Sequence, residues 1–450
     1  MKERILVSIL DSKNVRDFVK ELNDIQNEVK KISNNSFDLG IHFDIMDNKF
    51  VPNTGTNLEY IKIAKDLGIY SDVHLMVEKP IKDGYIKDAI NYGADRITIH
   101  KEIDEFEDTL EFLNKQKVEV SVAVKPNTKI EELVKYKDKF DTLLIMTVEP
   151  GFGGQKYIEK MNEKIKEAKS VFKNNKVEID GGVNFTNIKD GIELGVNDFV
   201  VGSYLSKSEN IYDSYICLNI EKDILQEVRT TNIDFEKRIL QIVENGYASK
   251  DILLGVMVPN LRKIAKKWLK YINFNVLQKF ITSSIHEYRQ YAIFSLTYMK
   301  NSKEIFDFVN ENIEYINNWD LTDIVAPNII GKYVYNLSDK EAKKIINNYL
   351  LSYDLWKKRI GIVILLKYAR ESKIDFVLEN IDKVIYEEYH LYQKATGWVL
   401  REAYKKENEK IYEYLKLKNS SKKLPKILLS YACEKMSNEQ KEIIRSGNKK

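Results

Sequence analysis

The chain has 450 residues and only two cysteines, Cys217 and Cys433, far apart and without a pairing pattern, which excludes a disulfide-stapled secreted module and predicts a reducing, cytoplasmic setting. No apolar run reaches the roughly 20 residues a membrane-spanning helix needs, and the opening Met1-Lys-Glu-Arg-Ile5 lacks a signal-peptide core, so no membrane partner is expected. The net charge of +3 conceals an asymmetry, with 40 Lys+Arg against 30 Asp+Glu in residues 221–450 and 31 against 38 before them. Thirteen of the 19 glycines precede residue 221 and all four tryptophans follow residue 260. Two unlike domains are therefore expected, 1–213 and 222–450, joined closely because no Pro- or Gly-rich linker intervenes.

The first domain shows eight short apolar runs, at 4–8, 40–46, 72–77, 95–100, 119–125, 141–148, 176–180 and 198–202. Amphipathic segments such as 15–32, 58–67 and 158–172 lie between them. This alternation predicts an α/β fold, a compact (β/α)8 barrel. The runner-up, a doubly wound open sheet, lacks the Gly-x-Gly-x-x-Gly expected after its first strand.

Residues 41–47 have the two-residue period of a strand, with Ile41, Phe43 and Ile45 on one side and His42, Asp44 and Met46 on the other. The polar side reads either as the solvated face of an edge strand or as half of a metal site. Polar residues then recur where each expected strand ends: Ser8, His42 with Asp44, His74, His100, Lys125, Met146-Thr147, Asp180 and Gly202-Ser203. Three of the five histidines fall at that end, where barrel enzymes place their active sites. His42, Asp44, His74 and Asp180 can converge on one divalent ion; the ligand types suit zinc first, and also admit iron(II), manganese or cobalt(II). The glycines of 149–155, 180–182 and 202–203 would expose backbone N–H groups to a phosphate.

The segments Val7-Ser-Ile-Leu10, His42-Phe-Asp-Ile-Met-Asp47, Val73-His-Leu-Met-Val77, Met146-Thr-Val-Glu-Pro-Gly-Phe-Gly-Gly-Gln155 and Asp180-Gly-Gly-Val183 resemble ribulose-phosphate 3-epimerases, in order and spacing, over residues 3–207. The resemblance implies interconversion of D-ribulose 5-phosphate and D-xylulose 5-phosphate through an enediolate. It makes Asp44 and Asp180 the paired base and acid as well as metal ligands beside His42 and His74. It places Met46, Met76 and Met146 against the intermediate. It assigns substrate contacts to Ser8, His74, Gly151, Phe152, Gly153, Gly154, Asp180, Gly181, Gly182, Gly202 and Ser203. The turn Asp11-Ser-Lys13 and the loop Thr54-Gly-Thr-Asn57 depart from the family pattern, which leaves a phosphorylated hexulose as the alternative substrate. Self-association through the barrel is a further expectation.

From residue 220 onward helix follows helix, with candidates at 220–245, 261–271, 287–299, 302–316, 321–335, 340–350, 355–369, 375–386, 391–405 and 422–435. Such lengths and short polar joints predict an α-solenoid of HEAT-like helical repeats. Asn318-Trp-Asp-Leu-Thr-Asp323, Trp356-Lys-Lys-Arg359 and Gln393-Lys-Ala-Thr-Gly-Trp-Val-Leu-Arg-Glu402 could build a cationic, aromatic groove; each tryptophan taken singly reads as core. With Val258-Pro-Asn-Leu-Arg-Lys-Ile-Ala-Lys266 and Glu287-Tyr-Arg-Gln290, they resemble the HEAT-like-repeat alkylpurine DNA glycosylases over residues 230–445. That resemblance implies double-stranded DNA as partner, Asp323 as the catalytic carboxylate, Trp319 and Trp398 as aromatic walls, and Arg359 as a backbone contact. The expected whole is a bifunctional fusion. Its alternative is an epimerase joined to a non-catalytic helical scaffold for nucleic acid or protein.

Overall fold

A computed structural model describes residues 2–229, 231–300 and 302–446. The chain divides into two compact units, Met1–Gln226 with Tyr271–Val276, and Glu227–Lys270 with Leu277–Lys450. Their division at Gln226 lies just past the junction read at 213–222.

In the first unit, among the described residues, eight parallel strands close a barrel in sequence order. They are β1 Arg4–Ser8, β2 Asp38–Met46, β3 Tyr70–Met76, β4 Arg96–His100, β5 Glu119–Val124, β6 Thr142–Met146, β7 Lys176–Asp180 and β8 Asp198–Val201, which pairs back on β1. Every limit lies within two residues of the sequence expectation, and closure replaces the open-sheet alternative. Strand β2 has no solvated face: it pairs with β1 and β3, and all its residues after Asp38 are buried. The edge-strand reading of residues 41–47 therefore falls. Alternation instead turns His42 and Asp44 into the barrel, and the register sets Ser8 opposite His42, Asp44 opposite His74, Met46 opposite Met76, and Met146 opposite Asp180.

The barrel unit ends in a helix the sequence reading misplaced. Instead of one helix over 220–245 there are two, Ile211–Leu225 and Ile233–Leu240. The first starts where the Asn210 side chain accepts a hydrogen bond from the Asp213 amide, and it packs on the helices Val15–Ile32 and Ile188–Glu193. Nearly every residue in it is buried, including Glu221, Lys222 and Asp223, so it shows no one-sided apolar stripe to read. The second begins after Asn232, whose φ of 66° breaks helical continuity.

The second unit is a two-row array of helices, the arrangement of an α-solenoid. One row runs Val258–Trp268, His286–Tyr298, Trp319–Val325, Leu355–Arg370, His390–Tyr404 and Lys426–Ala432, each packed on the next. Lys303–Glu311, Asp339–Leu350, Ile374–Ile381 and Asn408–Ser421 alternate with them in sequence. Asn408–Ser421 was not anticipated, and the helix expected to reach residue 386 stops at Ile381. The helix expected over 321–335 is interrupted by a π-turn at Ala326–Ile330, where Pro327 can give no amide hydrogen to the preceding turn. Close helix approach is allowed by glycine: a Cβ at Gly361 would stand 2.7 Å from the Leu350 nitrogen, and one at Gly397 2.6 Å from the Leu428 carbonyl oxygen. Among the described residues no helix is long and apolar enough to cross a membrane.

Candidate active sites

At the C-terminal end of the barrel, β2, β3 and β7 bring His42, Asp44, His74 and Asp180 together, with one ligand atom from each lying within 4.8 Å of all the others. His42 Nε2 lies 3.3 Å from Asp44 Oδ1 and 3.8 Å from Asp180 Oδ2; His74 Nδ1 lies 3.5 and 3.6 Å from the same two oxygens. Ligands about 2.0 Å from a tetrahedral ion stand roughly 3.3 Å apart. Both nitrogens are buried and have no hydrogen-bond partner. Two orphaned imidazole nitrogens aimed at two carboxylates are the donor set a divalent cation would satisfy, so the residues fit such an ion.

The outward nitrogens of the two rings are held differently. His42 Nδ1 is 2.5 Å from Asp72 Oδ2, and the other Asp72 oxygen accepts from Arg96 Nε at 2.6 Å. Arg96 is fully buried and also meets Asp198 and Glu178, each at 2.5 Å. His74 Nε2 instead meets His100 Nε2 at 2.9 Å, and His100 Nδ1 meets Glu102 Oε2 at 3.1 Å. Burial drops the His100 pKa to about 4, so that ring is neutral. Burial pushes the Asp44 carboxyl up, but His42 and His74 outweigh it and hold it well below the usual carboxylate range. Asp44 also accepts the Ser8 hydroxyl at 2.8 Å.

Above this floor is a cleft lined by Ser8, Asp11, Asp44, Met46, Met76, Met146, Phe152, Asp180 and Ser203, with the glycines 151, 153, 154, 181, 182 and 202. Thus Ser8, the three methionines and the three glycine loops expected from sequence all reach one cavity. His74, also expected to touch substrate, is fully buried and does not line the cleft. Gly181 and Gly182 have φ of 121° and 69°, and a Cβ there would meet Val148 at 2.4 Å and the Tyr157 nitrogen at 2.5 Å. Asp72 and Arg96 went unassigned from sequence. The signal for Asp72 was parity, since it stands two residues before His74 on the same inward face.

In the helical unit, Trp319, Asp323, Arg359, Trp398 and Tyr431 come from four successive helices of one row and line an open cleft with Tyr247, Tyr389, His390, Lys394 and Arg401. Asn318 caps the helix that carries Asp323, and its amide group also donates to the Leu240 carbonyl. Arg359, expected to contact a DNA backbone, is bound within the chain to Asp323 and Leu391. Its Nε and Nη2 donate to the two Asp323 oxygens at 3.0 and 2.8 Å, and Nη1 donates to the Leu391 carbonyl at 2.6 Å. Burial raises the Asp323 pKa, and Arg359 opposes that rise without cancelling it. Trp319 lends its indole N–H to the Ile239 carbonyl at 3.3 Å, leaving its ring as wall. Tyr247, which stands edge-on to Trp356 at 5.0 Å, and Tyr431 lie outside the sequence motifs and carried no signal of their own.

Residues 17–206 match the profile of the ribulose-phosphate 3 epimerase family, and residues 234–436 match that of DNA alkylation repair enzymes. A ribulose-phosphate 3-epimerase of Bacillus subtilis is 38% identical over 186 residues, 39% of this chain and 83% of that protein. The cytoplasmic isoform of Oryza sativa is 34% identical over 169 residues, 36% of this chain and 73% of that protein. Among solved structures, one described as a predicted DNA alkylation repair enzyme from Enterococcus faecalis aligns over 47% of this chain and 98% of its own, at 17% identity and a TM-score of 0.39.

Proposed function

The chain belongs to the ribulose-phosphate 3-epimerase family through its first half, and on that premise we propose that the barrel inverts C3 of D-ribulose 5-phosphate to give D-xylulose 5-phosphate. The observation that carries the reading is the pair of orphaned nitrogens, His42 Nε2 and His74 Nδ1, facing Asp44 and Asp180. A divalent ion held by these four residues, zinc by ligand type, would supply electrostatic stabilisation of the charge that develops when the proton α to the ketone leaves. Asp44 and Asp180, the two ligands that also line the cleft, exchange roles as base and acid on the two faces of the planar intermediate. Ser8 orients Asp44 through its 2.8 Å hydrogen bond, and the buried methionines shield the intermediate from water. The glycine loops offer backbone N–H groups to the phosphate. Purified protein is expected to epimerise ribulose 5-phosphate and to lose this with a chelator or with Asp44→Asn, by on the order of 10³-fold or more. Undiminished turnover in metal-free protein would remove the metal from the reading.

For the helical unit we propose hydrolytic release of N3- or N7-alkylated purines from double-stranded DNA. The carrying observation is Asp323 at the floor of an open cleft walled by Trp319, Trp398 and tyrosines. An alkylated purine is already a cationic leaving group, so one carboxylate that stabilises the oxocarbenium-like sugar and orients water suffices, and aromatic faces favour both cations. Alkylated duplex incubated with the protein should release 7-methylguanine or 3-methyladenine, and Asp323→Asn should stop it. DNA binding without base release would support the non-catalytic scaffold instead.

A further inference from the structure

The two imidazoles facing the ion position are backed unequally, and the longer support ends on a residue outside every motif described above. Strand β4 ends in His100, fully buried and stacked on His74 with ring centroids 5.0 Å apart. The two Nε2 atoms are 2.9 Å apart, a separation that requires one proton between them. Two residues further on, Glu102 places Oε2 3.1 Å from His100 Nδ1. Its other oxygen accepts the Lys125 amide at 2.8 Å and the Thr128 hydroxyl, which fixes the carboxylate to the loop after β5.

A carboxylate only accepts, so His100 Nδ1 carries hydrogen. The one proton between the two Nε2 atoms then belongs to His74 whenever its Nδ1 offers a lone pair to an ion, and His100 Nε2 accepts it. His74 is left with its lone pair on Nδ1, the atom that faces Asp44 and Asp180 without a partner. We propose that His100 and Glu102 form a positioning relay that sets the His74 tautomer, making Glu102 a determinant of metal affinity although it is not a ligand. Without Glu102 the relay can run backwards. His100 would carry hydrogen on Nε2, His74 would accept there, and its remaining proton would block the Nδ1 ligand position. His42 has no such freedom, because Asp72 backs it directly.

The inference rests on the metal reading of the four-residue site, and the test separates the two. Glu102→Gln is isosteric, but the backbone and hydroxyl donors of Lys125 and Thr128 hold the amide oxygen, so the amide N–H faces His100 Nδ1 and imposes the inverted tautomer. Cobalt(II) titration of full-length protein, followed by visible absorption and chelator competition, should show one ion per wild-type chain and about 10- to 100-fold weaker binding by E102Q. The metal-free melting temperature should stay close to wild type, which a merely structural role for Glu102 would not combine with lost affinity. If E102Q does not fold, Thr128→Val, which frees one side of the carboxylate, should weaken binding by roughly threefold to tenfold. Wild-type affinity in E102Q, or in T128V where that variant is used, overturns the relay alone. A wild type that takes up no cobalt(II) overturns the metal reading and the relay with it.

Discussion

Both units set an aspartate at the floor of a cleft, but they complete its electrostatics in opposite ways. In the barrel, Asp44 and Asp180 face two imidazoles, and no lysine or arginine lines the cavity among the described residues. In the helical unit, Asp323 already has its cation, a guanidinium that binds both oxygens. The first arrangement leaves two buried nitrogens without a hydrogen-bond partner; the second pairs both carboxylate oxygens within the chain. A sugar phosphate that becomes an enediolate needs positive charge from the site. A cationic base leaving a sugar needs a negative one that is firmly placed. On the proposed reactions, each cleft holds the charge that its own departing or developing group would require.

The sharpest way to break this contrast is to remove the guanidinium. Arg359→Met strips Asp323 of its counter-charge while burial continues to raise its pKa, so the carboxyl stays protonated to higher pH. Base release near neutral pH should fall on the order of 10²-fold, with the acid limb of the pH profile displaced upward. Chelator should leave wild-type release untouched while it stops epimerisation. Release that persists in R359M with an unmoved pH limb would mean that Asp323 does not depend on its clamp.

How much of this was legible in the sequence differs between the units for a physical reason. A barrel strand exposes its function by parity: His42 and Asp44 alternate with Ile41, Phe43 and Ile45, and β2, β3 and β7 each read as a short run with a polar C-terminal end. Closure then brings the ends together, so the convergence of His42, Asp44, His74 and Asp180 could be expected before any distance was known. The supporting residues were harder to see. Asp72 and Arg96 drew no reading from the sequence, because a fully buried arginine among three carboxylates is rare and the closed barrel is what juxtaposes them. In the helical unit, Trp319 and Asp323 share a face by their spacing, but Arg359 lies 36 residues from Asp323. Nothing local distinguished a clamp from a phosphate contact. Helix limits failed where burial was all-round, at Ile211–Leu225, or where Pro327 forced a π-turn.

A smaller effect sharpens the comparison through a histidine in each unit. His100 in the barrel is neutral, with a pKa of about 4, whereas His286, equally buried, is charged. His286 Nε2 lies 2.8 Å from Asp320 Oδ2 and Nδ1 lies 3.5 Å from Asp251 Oδ2, while Gln290 donates to the same Asp320 oxygen at 2.6 Å. Burial pulls the His286 pKa down, but Asp320 and Asp251 lift it to about 9 from an ordinary 6.5. A pKa raised on folding stabilises fully below pH 6.5, and that contribution is lost as pH rises through 9. The loss is at most roughly 3 kcal/mol. All four tryptophans follow residue 260 and lie in the helical unit, so their fluorescence during urea unfolding of the full chain reports on this unit. The wild-type midpoint should fall between pH 6 and 9.5, and His286→Gln should flatten that fall at the expense of stability at pH 6. An equal fall in H286Q would assign the pH dependence to other groups and leave His286 uncharged, like its counterpart in the barrel.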